Sequence, residues 1–206
     1  MTNTREAYLK IAYAGPILKT RWINDVFNTY LDQPQGETNV AALAVGGCEE
    51  LPHLRFFTGH GANIHAFDIL QPSMRMRDLS EYAKVQYHRE GIQRIDKVIR
   101  HLGGEPNLVI CRAPRILETV SKHGFKFNRW WADTLAGYGE RVGGNGQMLV
   151  TTYTGEERDI VAEALDKRAI SFSTYENDLC PINVPNYTGP NGPIRAGIDK
   201  YVLVSR

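Results

Sequence analysis

The residues of this 206-residue chain best suited to chemistry stand at the ends of short apolar runs. VAALAVGG ends in Gly46-Gly47, where missing side chains let the backbone approach a ligand closely, or simply let it turn. ANIHAFDIL carries Asp68, a carboxylate placed to accept hydrogen bonds from both hydroxyls of a ribose or to cap the helix that follows. From Arg112 to Trp131 five Lys/Arg (Arg112, Arg115, Lys122, Lys126, Arg129) face a single acid, Glu118, with Phe125, Phe127, Trp130 and Trp131 interleaved. Such a mixture holds an anionic planar substrate or stacks on single-stranded bases. It serves equally as the solvated and buried faces of an ordinary helix. His123 lies within it, and an imidazole, whose unperturbed pKa is near neutrality, suits either a general base or a plainly solvated side chain. A proline-rich stretch, NDLCPINVPNYTGPNGPIRAGID, offers Tyr187 and Arg195 as substrate contacts, since loops of that length are usually functional or mobile.

These residues need a frame. Ile23, Val26, Phe27 and Tyr30 recur at helical spacing, which predicts an amphipathic helical extension over residues 1–38. From Asn39 onward apolar runs alternate with helical patterns. Strands are expected at VAALAVGG, ANIHAFDIL ending on Asp68, IQRID, NLVICRA, QMLVTTYT, AISFSTYEN and DKYVLVSR. A helix is expected across 73–90 with Gly91 at its C-cap, and another from about 115 to 140. IQRIDKVIRHL reads equally well as helix. No helical pattern separates the last two strands, so the prediction is an α/β three-layer sandwich, a seven-stranded and mostly parallel sheet finished by an antiparallel hairpin.

Composition bounds the partners. Lys+Arg 24 against Asp+Glu 23 gives a net charge of +1, which supplies no global field for nucleic acid or an anionic membrane. A basic site is therefore local. Three cysteines, Cys48, Cys111 and Cys180, form no CxxC pair, so neither a zinc knuckle nor a disulfide framework is indicated. Cys111 beside an apolar run is expected to be a small packing residue. The start MTNTREAYLKIAYAGPILK lacks the features of a signal peptide and no apolar stretch reaches the length of a membrane span, so a cytoplasmic location without membrane association is expected.

Four segments in this order resemble the class I S-adenosylmethionine-dependent methyltransferases: AALAVGGCEE, HAFDILQPSMRMRDLSEYA, NLVICRAPRIL and ERVGGNGQMLVTTYT. The resemblance covers residues 39–206. It implies S-adenosylmethionine as cofactor, bound by Val45, Gly46 and Gly47 after the first strand, by Asp68 and Ile69 after the second, by Asp96 at the end of the third and by Cys111, Arg112 and Ala113 at the fourth. Arg115 and Trp130 of the basic-aromatic stretch and Tyr187 and Arg195 of the proline-rich loop are the expected substrate contacts, and the resemblance implies no catalytic base. The family's G-x-G-x-G reads Gly46-Gly47-Cys48-Glu49-Glu50 here, and Ala44 stands where an acid is common. An Asp/Asn-Pro-Pro-aromatic motif, a Pro-Cys motif and a Lys-Asp-Lys-Glu tetrad are missing, which disfavours base-amine, cytosine-C5 and ribose methylation. The expected acceptor is a small or anionic molecule, with nucleic acid the less favoured partner. Rival readings are a catalytically inactive binding or scaffold protein, an aminopropyl transferase of the same fold, and a nicotinamide dehydrogenase.

Overall fold

The computed structural model describes residues 20–32, 38–45, 51–114, 116–117, 127–179, 188–189 and 192–205. Seven strands form one sheet: β1 (Asn39–Leu43), β2 (Asn63–Asp68), β3 (Gln86–Arg89), β4 (Leu108–Cys111), β5 (Gln147–Thr152), β6 (Phe172–Glu176) and β7 (Tyr201–Ser205), in the order β3-β2-β1-β4-β5-β7-β6. Val40 to Leu43, all of β4 and all of β5 are buried at every residue. Side chains alternate between faces along a strand, so both faces of the sheet are covered there, as the continuous apolar runs require. The interspersed helices are α1 (Thr20–Tyr30), α2 (Arg55–Thr58), α3 (Met74–Ala83), α4 (Ile95–Leu102), α5 (Phe127–Gly139) and α6 (Gly155–Asp166). A two-residue ladder pairs Thr188–Gly189 with Gly192–Pro193. The chain divides into two compact units, Met1–Leu108 and Val109–Arg206.

In the first unit β1, β2 and β3 run parallel, with Leu43 opposite Phe67 and Asp68 opposite Arg89. Helix α1 buries Ile23, Val26 and Phe27, the stripe that the spacing predicts. Phe27 meets Phe57 at 4.7 Å between ring centroids. Burial of a side chain of this size contributes about 1.5–3 kcal/mol.

The third strand is not IQRID. Ile95–Leu102 is helix α4, with Asp96 exposed in its first turn, and the strand is the earlier QYHR. Helix α3 therefore stops at Ala83 rather than running to a cap at Gly91. Ser73 caps its start, accepting from the Met76 amide at 3.2 Å. Lys84 ends it in the left-handed conformation, φ 57°, with its amide donating to the Glu81 carbonyl at 3.2 Å and the Val85 amide donating to the Ser80 carbonyl at 2.9 Å. An L side chain is strained there, so Lys84→Gly is expected to raise stability by roughly 0.5–1 kcal/mol, read as a Tm increase of about 2–4 °C. A lower Tm refutes that reading of the cap.

Four rings fill the space between β2, β3 and α4. His65 and His88 lie parallel, 3° apart, and share a 2.9 Å hydrogen bond between Nδ1 and Nε2. Phe67 stacks on His88 at 5.0 Å, and His101 packs on it at 4.4 Å. Burial, reinforced by repulsion from His101 and then His65, holds the His88 pKa down to about 4. Burial and His101 lower His65 as well. An unfolded chain takes up these protons near pH 6.5 and the folded one does not. Stability is thus full above about pH 6.5 and falls as the pH drops toward about 4, where His88 protonates in place. For a partly exposed ring the loss is of order 1–2 kcal/mol. Urea midpoints at pH 7 and pH 5 should show the drop in the wild type and a smaller one in His88→Phe; equal drops would assign the acid sensitivity to other groups.

In the second unit β7 lies between β5 and β6, antiparallel to both, with Tyr201 opposite Thr152 and Glu176. This is the expected terminal hairpin. Helix α6 opens with a capping box, in which Thr154 accepts from the Glu157 amide and the Glu157 carboxylate returns to the Thr154 amide. Glu157 is fully buried, and it also accepts from the amides of Tyr153 at 2.9 Å and Leu117 at 3.1 Å. One carboxylate thereby ties the 116–117 segment, the exit of β5 and the start of α6 together. Among the described residues no helix is long and apolar enough to cross a membrane.

Candidate functional site

In an open α/β sheet, ligands sit beyond the carboxyl ends of the parallel strands. In the first unit β1 leaves the sheet through Ala44, whose amide still donates to the Phe67 carbonyl at 2.8 Å although φ is 51°. A left-handed alanine costs about 1–2 kcal/mol, strain of the kind that gathers at ligand sites. Val45 follows, buried; Gly46 and Gly47 lie outside the described residues.

Asp68 stands where the sequence puts it, as the last residue of β2. Its carboxylate is largely buried and accepts the Leu70 amide at 3.0 Å through Oδ1. The loop beyond it is held from β3: Tyr87 Oη donates to the Leu70 carbonyl at 2.9 Å, Arg89 Nε to the Ile69 carbonyl at 3.3 Å, and Arg89 Nη1 to Gln71 Oε1 at 2.8 Å. On this fixed ledge Ile69 is 68% and Met74 78% exposed. Apolar side chains are left in water beside a carboxylate that can accept from paired hydroxyls. The pair suits a ligand with a ribose and a flat base. Asp96, on the exposed side of α4, does not end a strand, so it is not the third strand-end acid that the sequence suggests.

In the second unit Cys111 is the buried last residue of β4 and a free thiol. Arg112 turns inward. It forms a bidentate ion pair with Asp199, Nη2 to Oδ2 at 2.6 Å and Nε to both oxygens at 3.2 Å, with side chains 6% and 0% exposed. Asp199 also accepts from the Thr151 hydroxyl, and its carbonyl accepts Asn177 Nδ2 at 2.9 Å. Ala113, at φ 43°, donates its amide to Thr151 Oγ1 at 2.9 Å. Arg112, Ala113, Thr151 and Asp199 are therefore one network. Trp130 is 37% exposed and meets Trp131 edge-on at 5.1 Å. Arg115 and Tyr187 lie outside the described residues.

Arg195 lines a cleft of about 480 Å³ at the carboxyl edge of β5 and β6, bounded also by Tyr153, Gly155, Glu176, Lys200 and Tyr201. Glu176 pairs with Lys200 at 2.7 Å. The hydrogen bond and charge of that lysine lower the Glu176 pKa. Leu117, Tyr153 and Ala196, with Ile160 packed against them, form an apolar cluster, so Tyr153 joins the cleft to a buried floor. Sequence reasoning missed Tyr153, Lys200 and Tyr201. Their signal was position alone, one residue beyond β5 and at the entry to β7. Among the described residues no group of three or more His, Cys, Asp or Glu side chains is placed to hold a metal.

The sequence matches no protein-family model and no curated protein. Solved structures do match. The precorrin-6y C5,15-methyltransferase of Geobacter metallireducens is similar with TM-score 0.55 and 12% identity, over 89% of this chain and 87% of that one. The precorrin 8W decarboxylase of Methanobacterium thermoautotrophicum gives 0.56 and 11%, over 90% and 89%. The Aeropyrum pernix fibrillarin, in complex with natively bound S-adenosyl-L-methionine, gives 0.54 and 10%, over 92% and 74%. At these identities the shared property is the fold, and it is the α/β methyltransferase-like fold of class I.

Proposed function

We propose that this chain is an S-adenosylmethionine-dependent methyltransferase whose acceptor is a small or anionic molecule. The observation that carries the reading is Asp68 beside the exposed Ile69 ledge at the carboxyl end of β2, in a sheet of the fold that fibrillarin uses around the same cofactor. Asp68 would take the ribose hydroxyls, Ile69 one face of the base, and the Val45 to Gly47 turn the amino-acid end. Bound there, the cofactor supplies a methyl group activated on a sulfonium. The chain's own task is positioning, since holding a nucleophile in line at close approach is worth several kcal/mol without a strong base. In the second unit Cys111, Arg112 and Ala113 are cofactor residues by the resemblance, with Arg112 acting through Asp199 rather than by direct contact. Trp130, Arg115, Tyr187 and Arg195 are acceptor contacts in this reading. Residues 1–38 form an extension of a cofactor-binding domain at 39–206, and the working compartment is the cytoplasm.

A second reading, a binding or scaffold protein of the same fold, is favoured by Cys48 and Glu50, which stand where the family's turn has glycines. Calorimetric titration with S-adenosylhomocysteine separates the two. Micromolar binding, together with S-adenosylmethionine or its product found by mass spectrometry in the purified protein, is the expected result. No binding at millimolar concentration would sink the methyltransferase reading. Tight binding without turnover of small acids would favour the scaffold.

A further inference from the structure

We propose that the cleft beyond β5 and β6 binds a small organic acid, with its oxyanion on Arg195 and its body between Tyr153 and Tyr201. Calling that acid the methyl acceptor rests on the methyltransferase reading; the binding site itself does not.

Register places the cleft where ligands of such sheets belong. β5 and β6 both end against Tyr201, the first residue of the antiparallel β7, so two strand exits and one strand entry share one edge. The wall opposite is fixed by the Gly197 amide, which donates to the Tyr153 carbonyl at 3.1 Å, and by the Lys200 amide, which donates to the Gly197 carbonyl at 3.1 Å. Small residues, Gly155, Ala196 and Gly197, leave the opening between the tyrosines.

Charge selects the ligand. Among the described residues three cations stand at this edge. Arg158 lies over the Tyr201 ring at 5.0 Å and is paired with Asp159 at 2.7 Å. Lys200 is paired with Glu176. Arg195 is exposed and has no acidic partner among the described residues, so one guanidinium facing the cleft keeps its fork for an incoming oxyanion. The first turn of the twelve-residue α6 reaches the same space at Gly155, but Glu156 and the buried Glu157, which already accepts the Tyr153 and Thr154 amides, offset its dipole, so the selecting charge is that of Arg195. About 480 Å³ lies within the range of small-molecule sites and encloses a ligand of one ring and its substituents rather than a polymer.

Benzoate and phenyl phosphate serve as anionic probes and benzamide as the neutral one, titrated by calorimetry and by amide NMR into the full chain without added cofactor. Either acid should bind at low millimolar Kd or better and shift the amides of Tyr153, Gly155, Gly197 and Tyr201, and the tighter of the two tells carboxylate from phosphate. Arg195→Gln, on an exposed side chain, should weaken binding at least tenfold with Tm unchanged, and Arg195→Lys should restore part of it. Benzoate and phenyl phosphate binding to R195Q as to the wild type, benzamide binding as tightly as both, absence of binding, or tighter occupation of the cleft by a single-stranded oligonucleotide would each overturn the assignment. S-adenosylhomocysteine is titrated in parallel. Its binding with no acid bound removes this site and leaves the methyltransferase reading; acid binding without it does the reverse.

Discussion

Asp199→Asn is expected to cost about 3–5 kcal/mol of stability, the usual result of removing one charge of a buried ion pair. Asparagine keeps the size of the side chain and tolerates the left-handed backbone at this position, φ 54°, so the change is confined to the charge and to one of the two acceptor oxygens that Arg112 and Thr151 use. What remains is the Arg112 guanidinium, 6% exposed, facing a neutral amide. The loss should appear as a lower urea midpoint with an unchanged slope. Arg112→Met combined with Asp199→Asn should recover at least half of it, because removing both charges removes the desolvation penalty together with the attraction. A loss below about 1 kcal/mol in the single variant would show that Arg112 finds compensation elsewhere.

Asp68→Asn is expected to weaken S-adenosylhomocysteine binding by roughly 10–100-fold while leaving Tm unchanged. Hydrogen bonds to a charged acceptor are worth about 1.5–3 kcal/mol, and an amide can supply one carbonyl oxygen where the carboxylate supplies two. The Leu70 amide still finds an acceptor in the asparagine side chain, so the ledge that carries Ile69 stays in place. That separation of binding from folding makes the variant informative. Calorimetry showing affinity within a factor of two of wild type would remove Asp68 from the cofactor site.

Strands buried on both faces were legible in the sequence because such positions favour largely apolar runs: β4, β5 and β7 lie within their predicted runs, and β1 begins one residue before its own. β3 was not. It is a four-residue strand of Gln, Tyr, His and Arg at the margin of the sheet, with no apolar alternation to announce it. Two residues separate it from α3, and the break is made by a left-handed lysine rather than by glycine or proline, so Gln86 and Tyr87 read as one more turn of the helix. Once that strand is displaced, Asp96 goes with it. Asp68 was legible because it follows directly from the end of its own strand. Arg112 illustrates the opposite case. Its partner is 87 residues away, and a surplus of positive charge counted along the chain cannot reveal a neutralisation made through space. Arg195 could be named from its loop, but the tyrosines that make its surroundings a cleft come together only through the pairing of β7 with β5 and β6.

That same pairing sets a schedule for synthesis. β6 ends the strand order and its sheet neighbour is β7, so after Glu176 leaves the ribosome it has nothing to pair with until residues 201–205 follow. At about 5–20 residues per second the wait for the 25 residues from Asn177 to Tyr201 is roughly 1–5 s. Throughout it β5 and β6 present open backbone edges, the form in which strands of different chains find one another. Crowded polysomes are therefore the hazard for this molecule. Slower initiation, which spaces nascent chains apart, should raise soluble yield without any change in sequence.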